Sequence, residues 1–295
     1  MRLSTVILPA TRWHHAKDSW QRADALGLHA AYTYDHLSWR SFRDKPWFTM
    51  IPTLVAAAGV TTSIRLGPLV TSSNFRHPLL LAKDLLALDD ISNGRLIVGI
   101  GSGGTGFDAS VLGAEPWSMG ERHARFVEFT HMLDVLLRES TSTVEGTYFR
   151  VIDSRQIPGP VQSPRPPLFL SALGPKSLQL TAQIADGWVS FGSPSNTETG
   201  STYDAVRTQV ARLDEQLIRY DREAASFERV LLNFEGDERP LNSYEAFLDW
   251  AARYRQLGVS ELVVHWPVAD SPFASDPTIF ERIATEGREH IHEWH

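Results

Sequence analysis

The chain contains no cysteine, which removes disulfides, thiolate metal sites, iron–sulfur clusters and a cysteine nucleophile together. Redox chemistry in such a chain has to come from a bound cofactor. Lysine is almost absent, 4 residues against 24 arginines, and no basic block offsets the formal net charge of −7. A nucleic-acid partner, which needs clustered Lys and Arg, is therefore not expected. No apolar run reaches the roughly 18 residues of a membrane span. The N-terminal MRLSTVILPATRWHH lacks a long apolar segment ahead of a small-residue cleavage site, so a cytoplasmic protein with no membrane partner is expected. What is present, 42% hydrophobic and 21% charged over 295 residues, suffices for a large core.

The best-punctuated stretch reads IRLGPLVTSSNFRHPLLLAKDLLALDDISNGRLIVGIGSG, from Ile64 to Gly103. Ile64 to Thr71 is an apolar, β-rich run that hands over to a polar cluster ending at Arg76. Pro78 suits a first helical turn, Leu79, Leu80, Ala82, Leu85, Leu86, Leu88 and Ile91 recur at helical spacing, and Asn93-Gly94 stops them. Arg95 to Ile100 is apolar again, as a strand covered on both faces would be. That order predicts two parallel strands joined by a crossover helix. The same alternation places further strands at 2–9, 29–34, 168–172, 188–191, 229–234 and 261–268. Helices are expected at 13–26, 46–60 (opened by Pro46), 119–139, 174–186, 203–225, 244–257 and 277–290. Eight strand–helix pairs without a linker or an internal repeat predict one α/β domain over 1–295, a (β/α)8 TIM barrel, in preference to a doubly wound sheet. A surface hairpin is expected at about 142–158 and a loop insertion at about 192–202.

In such barrels the working residues sit on loops after the strands. The exit of the second strand is the richest. Asp35, His36 and Trp39 put an acid, a near-neutral titrating imidazole and a large aromatic within a few residues, a set suited to proton transfer beside a planar ring. The alternative is that Asp35 caps the loop and His36 only packs. After the third strand, Ser72, Ser73, Asn74, Arg76 and His77 offer hydrogen-bonding groups, with turn chemistry as the competing account. The run from Gly99 to Gly104 matches the dinucleotide fingerprint G-x-G-x-x-G, yet it follows the fourth strand and opens no helix, so it reads as a decoy. Its glycines still let the backbone approach a ligand closely, which makes Ser102 and Gly103 candidate contacts, with a sharp turn as the competing account. At the fifth strand, Ser171, Ala172, Gly174, Pro175, Lys176 and Ser177 place N–H groups, a hydroxyl and an ammonium at a helix start, an anion site in kind, set against plain capping. The 11 His raise metal hydrolysis as a rival, but no His-x-His pair ends the first strand and His290, His292 and His295 lie at the chain's end, so no metal site is expected. The apolar faces of the helices after the second and third strands, with Leu54, Val55, Leu81 and Leu85, predict a homodimer; a core-facing stripe is the competing account.

At these residues the chain resembles the luciferase-like monooxygenase superfamily of flavin- and deazaflavin-dependent barrel enzymes. The resemblance rests on Tyr34-Asp35-His36 with Trp39, on the block from Arg65 that ends LDDISNGRL, on GIGSG from Gly99 and on IADGW from Ile184. It implies a ring lying against strands two to four, backed by a non-prolyl cis peptide near Pro68 to Val70, so that Leu69 and Val70 join the cofactor contacts. It also implies a phosphate at the helix after strand five. The Asp-His-x-x-Trp arrangement is similar to the F420 enzymes, where the His is the acid/base and the Trp flanks the substrate. Gly104 stands where their sugar-phosphate dehydrogenases carry a Glu, so a second acid is missing unless Asp108 or Glu115 replaces it. The expectation is an F420- or FMN-dependent oxidoreductase, tilted to F420, acting by hydride transfer or monooxygenation on a small organic molecule. A non-catalytic flavin carrier is the alternative.

Overall fold

Strands and helices alternate along the chain in the order that the apolar runs dictate. The structure, a computed structural model, describes residues 1–192, 201–234 and 236–294. Most of the loop expected at 192–202 lies outside the described residues. In chain order come β1 (Arg2–Val6), α1 (Trp13–Ala25), β2 (Ala30–Thr33), α2 (Met50–Ala58), β3 (Arg65–Pro68), β4 (Thr71–Ser72), α3 (Pro78–Ile91), β5 (Val98–Gly101) and α4 (Met119–Arg138). The antiparallel hairpin β6 (Thr141–Glu145) and β7 (Arg150–Arg155) follows. The order then resumes with β8 (Leu168–Ser171), α5 (Pro175–Ile184), β9 (Gly187–Ser190), α6 (Thr202–Arg219), β10 (Glu228–Leu232), α7 (Tyr244–Arg255), β11 (Glu261–His265) and α8 (Pro277–Arg282), which runs through a π turn into α9 (Arg288–His292).

The ends of several elements shift by a few residues from the sequence expectation, and three departures have a local cause. Pro46 does not open the second helix: Phe48 N–H donates to Pro9 O, 2.8 Å, and the helix starts at Met50 with Pro52 in its first turn, where a missing N–H costs nothing. The third strand is divided into β3 and β4 by a cis peptide between Leu69 and Val70, the feature that the resemblance implied. Helix α6 stops at Arg219 instead of running to Ala225. Asp221 takes φ +52°, and Arg222 N–H returns to Leu217 O at 2.9 Å, closing a left-handed cap that ends the helix before the two alanines.

Two compact units share the chain: residues Met1–Leu8, Arg22–Tyr32 and Phe169–His295 form one, Pro9–Gln21 and Thr33–Leu168 the other. In the first, parallel strands run in the order β2, β1, β11, β10, β9, β8, with Val6 opposite His265 and Ser171 opposite Val189. Its core holds Trp188, Phe247, Trp250 and Tyr254. There Tyr32 Oη donates to Glu261 Oε1, 2.9 Å, and burial pushes the Glu261 carboxyl pKa up. In the second unit β4 pairs with β5, Thr71 opposite Ile100, while Leu66 of β3 bridges Leu96. Gly99 is required here because a Cβ would press into Pro68 O.

The most specific block of the resemblance turns out to be scaffold. Asp89 accepts from the N–H groups of Val161 and Gln162 at 2.7 and 3.1 Å. Arg95 donates to Ser92 O, Ile64 O and Ala58 O at 2.7, 2.9 and 3.0 Å, stapling the ends of α2 and α3. The same packing takes three of the four residues of the expected homodimer face into the core and leaves Val55 half-buried. Leu54, Leu81 and Leu85 are at most 1% exposed within the chain itself, and the exposed apolar residues of α3 are Leu80 and Ile91. Helical periodicity reports an apolar stripe without telling what covers it.

Candidate active site

The exit of β2 builds an aromatic box around one imidazole. Tyr34 meets the His36 ring edge-on at 6.1 Å, Trp39 stacks beside it at 6.0 Å, and Trp47 lies 6.3 Å away. Trp47 Nε1 also donates to His36 O, 2.9 Å, which fixes the backbone. Trp39 itself is only 5% exposed because Trp47, Phe42 and Tyr34 pack on it. In this structure it forms the wall behind the imidazole and is not an open flank. The His36 side chain, by contrast, keeps 32% of its surface exposed.

Asp35 turns away from His36. It is buried, and its carboxylate receives Arg76 Nε and Nη2 and Thr71 Oγ1, each at 2.6 Å. Burial opposes the Arg76 charge, but the hydrogen bonds and attraction of Asp35 outweigh it and raise the guanidinium pKa. This forked pair ties the exit of β2 to the exit of β4. The imidazole instead meets Asp108, which lies in a single 3-10 turn, Phe107–Ala109, beyond the glycine loop. Asp108 Oδ2 contacts His36 Nδ1, while Oδ1 accepts from Leu37 N–H at 2.6 Å and Ser38 N–H at 3.1 Å. No local signal in the sequence links residues 72 positions apart; from the sequence Asp108 is a candidate only for the acid missing at Gly104. Glu115 makes no such contact among the described residues.

The glycine loop is brought to the exit of β4. Asn74 Nδ2 donates to Gly104 O, 2.9 Å, and Gly103, at φ +68°, leaves room for the Asn74 amide where a Cβ would collide with it. Arg122 Nη1 holds Gly103 O at 2.7 Å and Arg125 Nη2 holds Ser73 O at 3.2 Å. Ser102 and Gly103 are half-buried, Ser72 is buried, and Leu69 and Val70 form the cis peptide between β3 and β4. No helix follows β5 directly; α4 begins at Met119 behind a Ser118–Glu121 capping box, so the dinucleotide fingerprint is indeed a decoy.

The remaining predicted residues belong to the first unit. Ala172 O accepts from Trp188 Nε1, 2.7 Å, so the IADGW tryptophan anchors the turn between β8 and α5. Gly174 caps α5 without a side-chain hydrogen bond, and Pro175 has no N–H. The N–H groups of Lys176 and Ser177 are thus left outside the helical ladder, as an anion site requires. Among the described residues no group of three or more His, Cys, Asp or Glu could hold a metal, and no helix is long and apolar enough to cross a membrane.

A flavin-type ring presents polar edges on a flat apolar body, and two observations fit one. Ser73 Oγ and Asn74 Oδ1 are buried without a hydrogen-bond partner, a state that costs about 1–3 kcal/mol per group and that a ligand's polar edge would relieve. The buried Leu69 and half-buried Val70 place apolar side chains a few residues before them in the chain.

A family model described as luciferase-like monooxygenase matches residues 1–261. The F420-dependent glucose-6-phosphate dehydrogenase of Beutenbergia cavernae is 30% identical over 68% of this chain and 59% of its own length. The oxygenase component of the flavin-dependent trigonelline monooxygenase of Acinetobacter baylyi is 30% identical over 55% of this chain and 44% of its own. The chain therefore spans about half the length of the curated relatives it matches. The coenzyme F420 dependent tetrahydromethanopterin reductase from Methanopyrus kandleri superposes with a TM-score of 0.80 over 98% of this chain and 99% of that one, at 17% identity. The shared fold is the (β/α)8 barrel that eight strand–helix pairs predict. The exit of β2 with its histidine, the glycine loop and the LDDISNGRL scaffold all fall inside the matched span, and the chain belongs to the luciferase-like monooxygenase family.

Proposed function

We propose that this protein is a cytoplasmic F420- or FMN-dependent oxidoreductase in which His36 exchanges a proton with a small organic substrate. The observation that carries the reading is the contrast in exposure at the β2 exit: Tyr34 and Trp39, which pack on the imidazole, are buried, as is Asp35, whereas the imidazole itself reaches the surface with its Nδ1 side held. A group placed that way is fixed yet accessible, as a general acid or base must be. The bound cofactor supplies a two-electron centre for hydride transfer or, with FMN, for oxygen chemistry. Leu69, Val70, Ser72, Asn74, Ser102 and Gly103 would hold its ring. Ser171, Ala172, Gly174, Lys176 and Ser177 would hold its phosphate, using the N–H groups at the start of α5. Asp35 acts through Arg76 as a positioning group and Trp39 as the wall of the box. A homodimer through α2 and α3 would keep Val55 and use Leu80 and Ile91 in place of Leu54, Leu81 and Leu85.

Equilibrium binding of F420 and FMN to the purified protein, before and after His36→Ala, tests the reading. The variant should keep cofactor affinity within a few fold and lose about 100-fold or more in turnover. Joint loss of affinity and turnover would make His36 a binding group, and survival of both would reject the acid/base role.

A further inference from the structure

We infer that Asp108 is a positioning residue for His36, holding the imidazole proton on Nδ1 so that Nε2 is the atom that exchanges a proton at the site. This rests on the acid/base reading of His36. The two oxygens of the Asp108 carboxylate have separate partners. Oδ1 takes the backbone N–H groups of Leu37 and Ser38, 2.6 and 3.1 Å, and these can only donate. The backbone of the β2 exit therefore sets the carboxylate's orientation, and Oδ2 is left facing Nδ1. An ionised carboxylate can only accept, so Nδ1 must bring the proton to that contact, and neutral Nε2 carries a lone pair.

The ring is not free to offer its other edge. A half-turn about the Cβ–Cγ bond would put a carbon against Oδ2, and Tyr34, Trp39 and Trp47 pack around the imidazole. A second contact joins the same two loops: the Arg43 guanidinium lies 4.3 Å over the Phe107 ring, next to Asp108 in the chain. The Asp108 side chain is 12% exposed against 32% for His36, so the exposed part of the pair is the imidazole. When Nε2 takes a proton from a substrate group, the imidazolium carries two N–H groups, Nδ1–H remaining on Asp108; the reverse transfer returns the proton from Nε2.

Asp108→Asn tests the assignment because it keeps the shape and alters the donor pattern. The N–H groups of Leu37 and Ser38 would hold the new amide's oxygen, turning its NH2 toward Nδ1. A donor there forces Nδ1 to accept and moves the proton to Nε2. We expect 15N NMR of histidine-labelled protein at mildly alkaline pH, with His36 identified by its absence in His36→Ala, to show Nδ1–H in the unaltered protein and Nε2–H in Asp108→Asn. Cofactor binding should stay within a few fold while turnover falls about 100-fold or more. An Nε2–H tautomer in the unaltered protein, which needs no variant to observe, would overturn the inference, as would an unchanged tautomer in Asp108→Asn. Inversion with undiminished turnover would leave the tautomer assignment standing and overturn the acid/base role of His36.

Discussion

Replacing Arg76 by methionine would leave the Asp35 carboxylate buried with one hydrogen bond in place of three. Asp35 is 1% exposed at its side chain, so water cannot take over the two guanidinium hydrogen bonds, both 2.6 Å, and only Thr71 Oγ1 remains. Removing one partner of a buried ion pair costs about 3–5 kcal/mol, because the other charge stays desolvated. Taking about 4 kcal/mol, and an unfolding entropy near 2.1 cal/mol/K per residue over 295 residues, Tm should fall by about 6 °C. The reasoning assigns the loss to a stranded charge and not to lost contacts. Asp35→Asn together with Arg76→Met should therefore recover most of it, to within roughly 1.5 kcal/mol of the unaltered protein, as a neutral pair of similar volume does. Thermal and urea unfolding of the two single variants and the double variant complete the cycle. A cost below about 1 kcal/mol for Arg76→Met, or a double variant no more stable than Arg76→Met, would refute the argument.

Two further outcomes follow from other parts of the chain. Ser177→Asp sets a negative charge among the N–H groups that begin α5 and should weaken F420 or FMN binding at least about tenfold, roughly 1.4 kcal/mol; unchanged affinity in a titration would remove the phosphate from that helix. Burial raises the Glu261 pKa above 4.5 in the folded state, so the unfolded chain releases that proton first and stability is lost as pH rises from 4.5 toward the raised value. Glu261→Gln keeps an acceptor for Tyr32 and removes the titration. Its Tm should match the unaltered protein below about pH 4 and exceed it at pH 7, and a variant less stable at pH 7 would contradict the assignment.

Much of the fold is legible in the linear order of residues because helices and strands bury periodic faces and end on local chemistry. Asn93-Gly94 and Pro78 at the start of α3 each act within a few residues of themselves, and each lies where the pattern places it. His36 was likewise visible, since its position after the second strand needs only a count of elements. The structure had to decide what each side chain meets. Asp35 and Arg76 are 41 residues apart and His36 and Asp108 are 72 apart, and nothing in either neighbourhood says which carboxylate serves the imidazole and which is bound to a guanidinium. The same limit turned Leu54, Leu81 and Leu85 from a dimer face into core. Periodicity is a property of one segment, whereas burial and pairing are properties of two segments brought together by the fold, and only the tertiary structure names the second.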